Sequence, residues 1–169
     1  DQAVSNFEIA LAIDGTNQGA KRGLDRALKL DRVIELTTFG VNLETEGKWQ
    51  DAMQSFANAL VIDSVWTDAL DGLARSKKAF EAEQYQGLLS SGYQLIKESK
   101  FDKARSAFEQ ASVLQPDSVQ VAQAFEELGL QERIVKIKAL KYEALSAEVN
   151  ERWASAQKLY ESILKLDPN

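Results

Sequence analysis

The sequence predicts an all-α protein, an α-solenoid of helical hairpins with long connecting helices. Three observations predict it. Gly and Pro supply only 9 and 2 of the 169 residues, about half the usual share, while Ala and Leu run through the whole chain. One pattern returns at a fixed interval: Trp49, Ala52, Phe56 and Ala59, then Phe101, Ala104, Phe108 and Ala111, then Trp153, Ala156, Tyr160 and Ile163, each copy 52 residues after the last. Between residues 66 and 98 there is no Pro, so nothing breaks a helix there. Self-similarity at such a period is the mark of stacked units, none of which buries its apolar face alone.

Residues 1–14 already read as helix, with Ala3, Phe7 and Ala10 repeating the pattern 49 residues upstream of Ala52, Phe56 and Ala59. The chain begins inside that pattern with neither Met nor a leader, so it is expected to be a fragment of a longer protein. It reads as one repeat domain over 1–169, with a partial repeat at 1–32 and repeats at 33–84, 85–136 and 137–169. A long helix is predicted over 17–46. It is three residues shorter between Gly23 and Gly40 than its counterpart between Gly72 and Gly92, and three residues rotate a helix by about 300°. Either it bends near Leu30 and Asp31, or its halves pack independently; continuous helices are favoured.

The next long segment, 66–98, is predicted as one helix of roughly 30 residues, about 45 Å long. A short helix follows over 101–114. Turns at Glu46-Gly47-Lys48-Trp49 and Glu98-Ser99-Lys100-Phe101 set an aromatic at the start of each short helix. Asp63, Pro116 with Asp117, and Pro168 mark helix ends. Gly40 and Gly92 are small enough for helix axes to approach, and Phe56, Phe108 and Tyr160 fill the gap. Gly72 and Gly87 read as further packing positions.

Upstream of the copies stand Leu36, Gly40 and Leu43, then Leu88, Gly92 and Leu95, then Leu140, Ala144 and Ala147. Together these residues resemble the tetratricopeptide repeat (TPR) family, whose unit of about 34 residues carries Leu-Gly, then A-x3-F, then a terminal Pro. Counted from Val33, Gly40 is eighth, Ala52 twentieth, Phe56 twenty-fourth and Ala59 twenty-seventh; the unit from Tyr85 repeats this, and Pro116 and Pro168 take the terminal position. The third unit departs with Ala144 for Gly and Ile163 for Ala. The longer period leaves roughly 18 extra residues per unit against the family's length. The segment from Trp66 through Ala69, Gly72 and Leu73 starts like another first helix and then fails to turn.

Composition removes most chemistry. There is no Cys and no His, which excludes disulfides, thiol nucleophiles, Cys/His zinc sites and imidazole triads. With 26 acidic and 20 basic residues the net charge is −6, which disfavours nucleic acid and anionic membrane. The longest apolar runs, such as 9–13 and 59–62, are far short of the roughly 20 residues that cross a bilayer. The segment therefore reads as a soluble domain without membrane insertion, cytoplasmic or periplasmic. Glu126 with Glu127, and Glu81 with Glu83, read as solvated helix faces with i,i+4 partners. Ser90, Ser91 and Ser99 lack a nucleophile's flanking pattern. No cofactor and no metal is predicted, and the chain reads as no enzyme.

Stacked units present an extended surface that reads other proteins. The resemblance implies protein binding on the concave face of each first helix, here Thr37, Val41 and Glu44, then Leu89, Tyr93 and Lys97, then Lys141, Leu145 and Glu148. Family members that clamp a peptide carboxylate carry Lys and Asn where this chain has Thr37/Val41, Leu89/Tyr93 and Lys141/Leu145, so that clamp is not implied. Arg133, Lys136, Lys138 and Lys141 form a basic patch, either a solvated face or a dock for an acidic segment. Trp66 is a candidate interface anchor. The leading reading is a non-catalytic scaffold or assembly factor of bacterial type, binding a protein or peptide partner. The alternative is a structural spacer that forms a homodimer by exchanging long helices, with the polar stretch 76–86, carrying Phe80 and Tyr85, as a solvent bridge or self-contact seam.

Overall fold

The computed structural model describes residues 2–168. Among them the chain forms seven α-helices and no strand: α1 (Gln2–Ile13), α2 (Gln18–Thr45), α3 (Trp49–Ile62), α4 (Thr67–Lys97), α5 (Phe101–Leu114), α6 (Val119–Val149) and α7 (Trp153–Leu166). Short helices of 12 or 14 residues thus alternate with long ones of 28 or 31. The boundaries follow local chemistry. Asn17 and Ser118 cap α2 and α6 by accepting from the Ala20 and Val121 amides.

Each long helix ends in the same device. Gly47, Ser99 and Glu151 sit in the left-handed region at φ 71°, 58° and 58°. The next amide then reaches back over the turn, Lys48 to the Leu43 carbonyl at 3.0 Å, Lys100 to Leu95 at 2.9 Å and Arg152 to Ala147 at 2.8 Å. This is a Schellman ending, which satisfies carbonyls the helix leaves free. It delivers Trp49, Phe101 and Trp153 to the first position of the following short helix.

The chain divides into two compact units, Asp1–Ala82 and Glu83–Asn169, with the division inside α4. In the first, α2 runs unbroken although its glycines are closer in sequence than those of α4. Its halves serve different short helices. Gly23 lies against Phe7 of α1 and Gly40 against Phe56 of α3, so the three-residue slip is harmless. Phe56 is wholly buried between Gly40 and Gly72, where a Cβ would stand 2.7 Å and 2.5 Å from its ring. Val33, Leu43, Ala52, Ala59 and Ala69 complete this core.

In the second unit Phe108 takes the same place. It lies against Gly92 and makes edge-to-face contacts with Tyr93 at 5.4 Å and Phe125 at 5.8 Å. Leu89, Ile96, Ala104, Ala111, Val121, Ala124 and Leu128 surround it. Two expected packing roles fail. A Cβ added to Gly87 would meet nothing within 4 Å, so this glycine is exposed and packs against no helix. Tyr160 stays 36% exposed, because no long helix follows α7 among the described residues to close over it.

Candidate functional site

Two grooves open where residues predicted as partner-binding meet the first part of the next long helix. In the first unit Thr37, Thr38 and Val41 of α2 face Asp68, Asp71 and Arg75 of α4 across a groove of about 380 Å³. In the second, Tyr93, Ile96 and Lys97 of α4 face Glu127, Gln131, Ile134, Val135 and Lys138 of α6 across about 350 Å³, with Phe101 at one end. The first groove has acidic side chains on its α4 wall. The second carries Lys97 and Lys138, and its Glu127 carboxylate accepts from Gln131 at 2.9 Å.

The predicted residues separate by what packs against them. Val41, Tyr93, Lys97, Lys141 and Leu145 are exposed. Thr37 is buried, its hydroxyl donating to the Val33 carbonyl at 2.7 Å, so it forms groove floor and offers no free hydroxyl. Leu89 is a correction: it is 6% exposed and belongs to the core beside Tyr85 and Phe108. Glu44 is a second correction, because its carboxylate accepts from Ser76 at 2.8 Å and Arg75 at 3.0 Å and its side chain is 13% exposed. It ties α2 to α4. Glu148 is half-buried; partial burial first, and then the Glu148 charge, raise the Tyr160 phenol above its usual range.

The basic patch does not act as one surface. At about 100° per residue Lys138 and Lys141 lie about 60° apart, whereas Lys136 is about 160° from Lys138. Only Lys138 of the four lines the second groove. Trp66 lines a pocket with Phe7, Gly23 and Leu30. It packs partly buried against the first core, occupies the N-terminal cap of α4 with its carbonyl accepting from Ala69 and Leu70, and its indole Nε1 has no hydrogen-bond partner among the described residues. The polar stretch 76–86 is also more engaged than expected. Ser76 is buried against Glu44, and the Tyr85 phenol meets the Ser118 hydroxyl and Gln120, which removes Tyr85 from any self-contact seam.

Glu81 and Glu83 are exposed, as are Ser90 and Ser91, and Glu81 pairs loosely with Lys77 at 3.9 Å. At the turn below the second groove, Lys100 and then Gln94 hold Glu98 below the usual carboxylate range. Among the described residues no helix is long and apolar enough to cross a membrane.

Sequence reasoning misses the opposite walls of both grooves: Asp68 and Asp71 in one, Ile134 and Val135 in the other. The signal that could find them is the start of each long helix, the stretch for which a 34-residue unit has no counterpart. No family model matches the chain, and no curated protein or solved structure matches it either, so the repeat resemblance rests on the residues and packing described above.

Proposed function

We propose that the chain is a non-catalytic protein-interaction module, a scaffold or assembly factor whose TPR-like hairpins form an α-solenoid, and that the groove between α4 and α6 takes a segment of its partner. One observation carries this reading. Tyr93 and Lys97 of α4 line one groove together with Ile134, Val135 and Lys138 of α6, so that apolar side chains and two ammonium groups share one surface. Such a surface suits an extended or helical segment that alternates apolar and acidic side chains: the apolar ones give area, the ammonium groups give register.

The test is affinity selection from a displayed library of acidic-apolar peptides. Binders should lose about tenfold in affinity to the Tyr93→Ala, Lys97→Ala double variant, equivalent to about 1.4 kcal/mol, with helical content unchanged by circular dichroism. Binders indifferent to the double variant would place recognition elsewhere. A concentration-dependent dimer in light scattering that survives in the double variant would replace this reading with the self-associating spacer.

A further inference from the structure

The α2–α4 groove differs from its counterpart one repeat later at the positions that line it. Val41, Asp68 and Asp71 are matched, 52 residues on, by Tyr93, Gln120 and Gln123. In that later copy Tyr93 lies edge-on to Phe108 at 5.4 Å, and Gln120 accepts from the Tyr85 phenol at 3.1 Å. In the first copy Val33, which has no hydroxyl, stands at the position of Tyr85, and Val41 is smaller than Tyr93 by a whole ring. The repeat thus folds with neutral amides where the first copy has carboxylates, so its packing does not require the two acids.

The acidic pair is also left without a counter-charge. Arg75 lines the same groove but donates to Glu44 at 3.0 Å, and among the described residues neither Asp68 nor Asp71 has a cationic partner. Three residues apart on α4, the two share a face and stand exposed across the groove from Thr38 and Val41. Like charges one turn apart repel, and a cation set between them relieves this. Among the described residues no three acidic side chains come together to hold a metal ion. The groove therefore suits an organic cation on an apolar stem.

We propose that the α2–α4 groove reads a basic-apolar segment of a partner protein, seating a Lys or Arg side chain with its stem on Val41 and the Thr38 methyl and its charged head between Asp68 and Asp71. Charge complementarity specifies this occupant, since an acidic residue at the same place would meet two carboxylates. The groove shares no lining residue with the α4–α6 groove and takes the opposite charge, so the two sites stand or fall independently.

The experiment uses the full chain and a short labelled peptide in which Arg alternates with Leu, with a twin carrying Glu for Arg, followed by fluorescence anisotropy. Saturable binding of the Arg peptide is expected. It should weaken about tenfold when Asp68→Gln and Asp71→Gln install the residues of the later copy. Glu81→Gln with Glu83→Gln removes the same charge from exposed positions of α4 outside the groove and should change affinity less than about twofold. On the opposite wall Val41→Arg places a cation of the chain's own in the groove and should weaken binding as the Asp pair does, which keeps the test valid should the double variant disturb the fold. The Tyr93→Ala, Lys97→Ala chain should bind the Arg peptide unchanged, so failure of the α4–α6 groove as a site is told apart from failure of this one. Absence of binding, or equally tight binding of the Glu twin, overturns the proposal. So does an equal loss in the two acid-pair variants, which would mean attraction by net charge alone, and so does a loss confined to the Tyr93→Ala, Lys97→Ala chain.

Discussion

A Cβ at Gly72 would press on a Phe56 ring that has no room to retreat, since Gly40 closes its other side. Gly72→Ala should therefore destabilise by about 1–3 kcal/mol, outweighing the propensity gain of about 1 kcal/mol in a helix. At Gly87 and Gly129 a Cβ would meet nothing within 4 Å. Gly87→Ala and Gly129→Ala should each raise stability by about 0.5–1 kcal/mol. Urea midpoints for the three variants check the contrast. At the helix ends, Ser99 holds the left-handed conformation that Gly47 adopts freely; Ser99→Gly should stabilise by about 1 kcal/mol in the same assay.

Tyr160 gives a residue-level pH prediction. Its phenol titrates above the ordinary value of about 10, because partial burial and then the neighbouring Glu148 charge oppose the phenolate. A raised folded value means that its contribution is complete below the unfolded value and is lost as pH rises through the folded one. Alkaline ultraviolet titration, differenced against Tyr160→Phe, should show this tyrosine moving down in the Glu148→Gln variant.

Among the elements, the short helices act as wedges between the long ones. Phe108 closes its wedge with Tyr93, Gly92 and Phe125 around it, and Phe108→Ala should cost about 3–5 kcal/mol; an unchanged melting midpoint would contradict the repeat alignment. These elements are legible in the sequence because their signals are local. The short helix predicted over 101–114 is α5, and the long segment predicted over 17–46 is α2 with its two caps. Gly87 escapes such reading for the complementary reason: helical spacing identifies a face but not whether another helix lies against it. Tyr160 escapes it likewise, since among the described residues it stays 36% exposed and only packing, not spacing, decides whether a wedge position is filled.

For the whole molecule, net charge and local charge disagree. The chain carries −6 overall, yet the α4–α6 groove presents Lys97 and Lys138 beside a Glu127 engaged by Gln131. Capture of an acidic segment there should weaken severalfold between about 0.05 and 0.5 M salt, as screening shortens from about 10 Å at 0.1 M toward 3 Å at 1 M. Salt-independent capture, measured by anisotropy, would point to the apolar wall alone.

The all-helical class, the alternation of long and short helices, the 52-residue register and the extents of the segments over 17–46, 66–98 and 101–114 are readable from the chain's residues, because propensity, capping and turn chemistry act within a few residues. Which side chains remain available is decided by tertiary packing alone. Glu44 and Ile96 hold the same repeat position; the first is tied by Ser76 and Arg75, the second is buried in a core shared with Leu128. Leu89 goes to that core as well, while Tyr93 and Lys97 gain a facing wall from α6. A residue's exposure depends on the helix that comes to lie against it, and that helix lies roughly thirty residues away in the chain, beyond the reach of any local pattern.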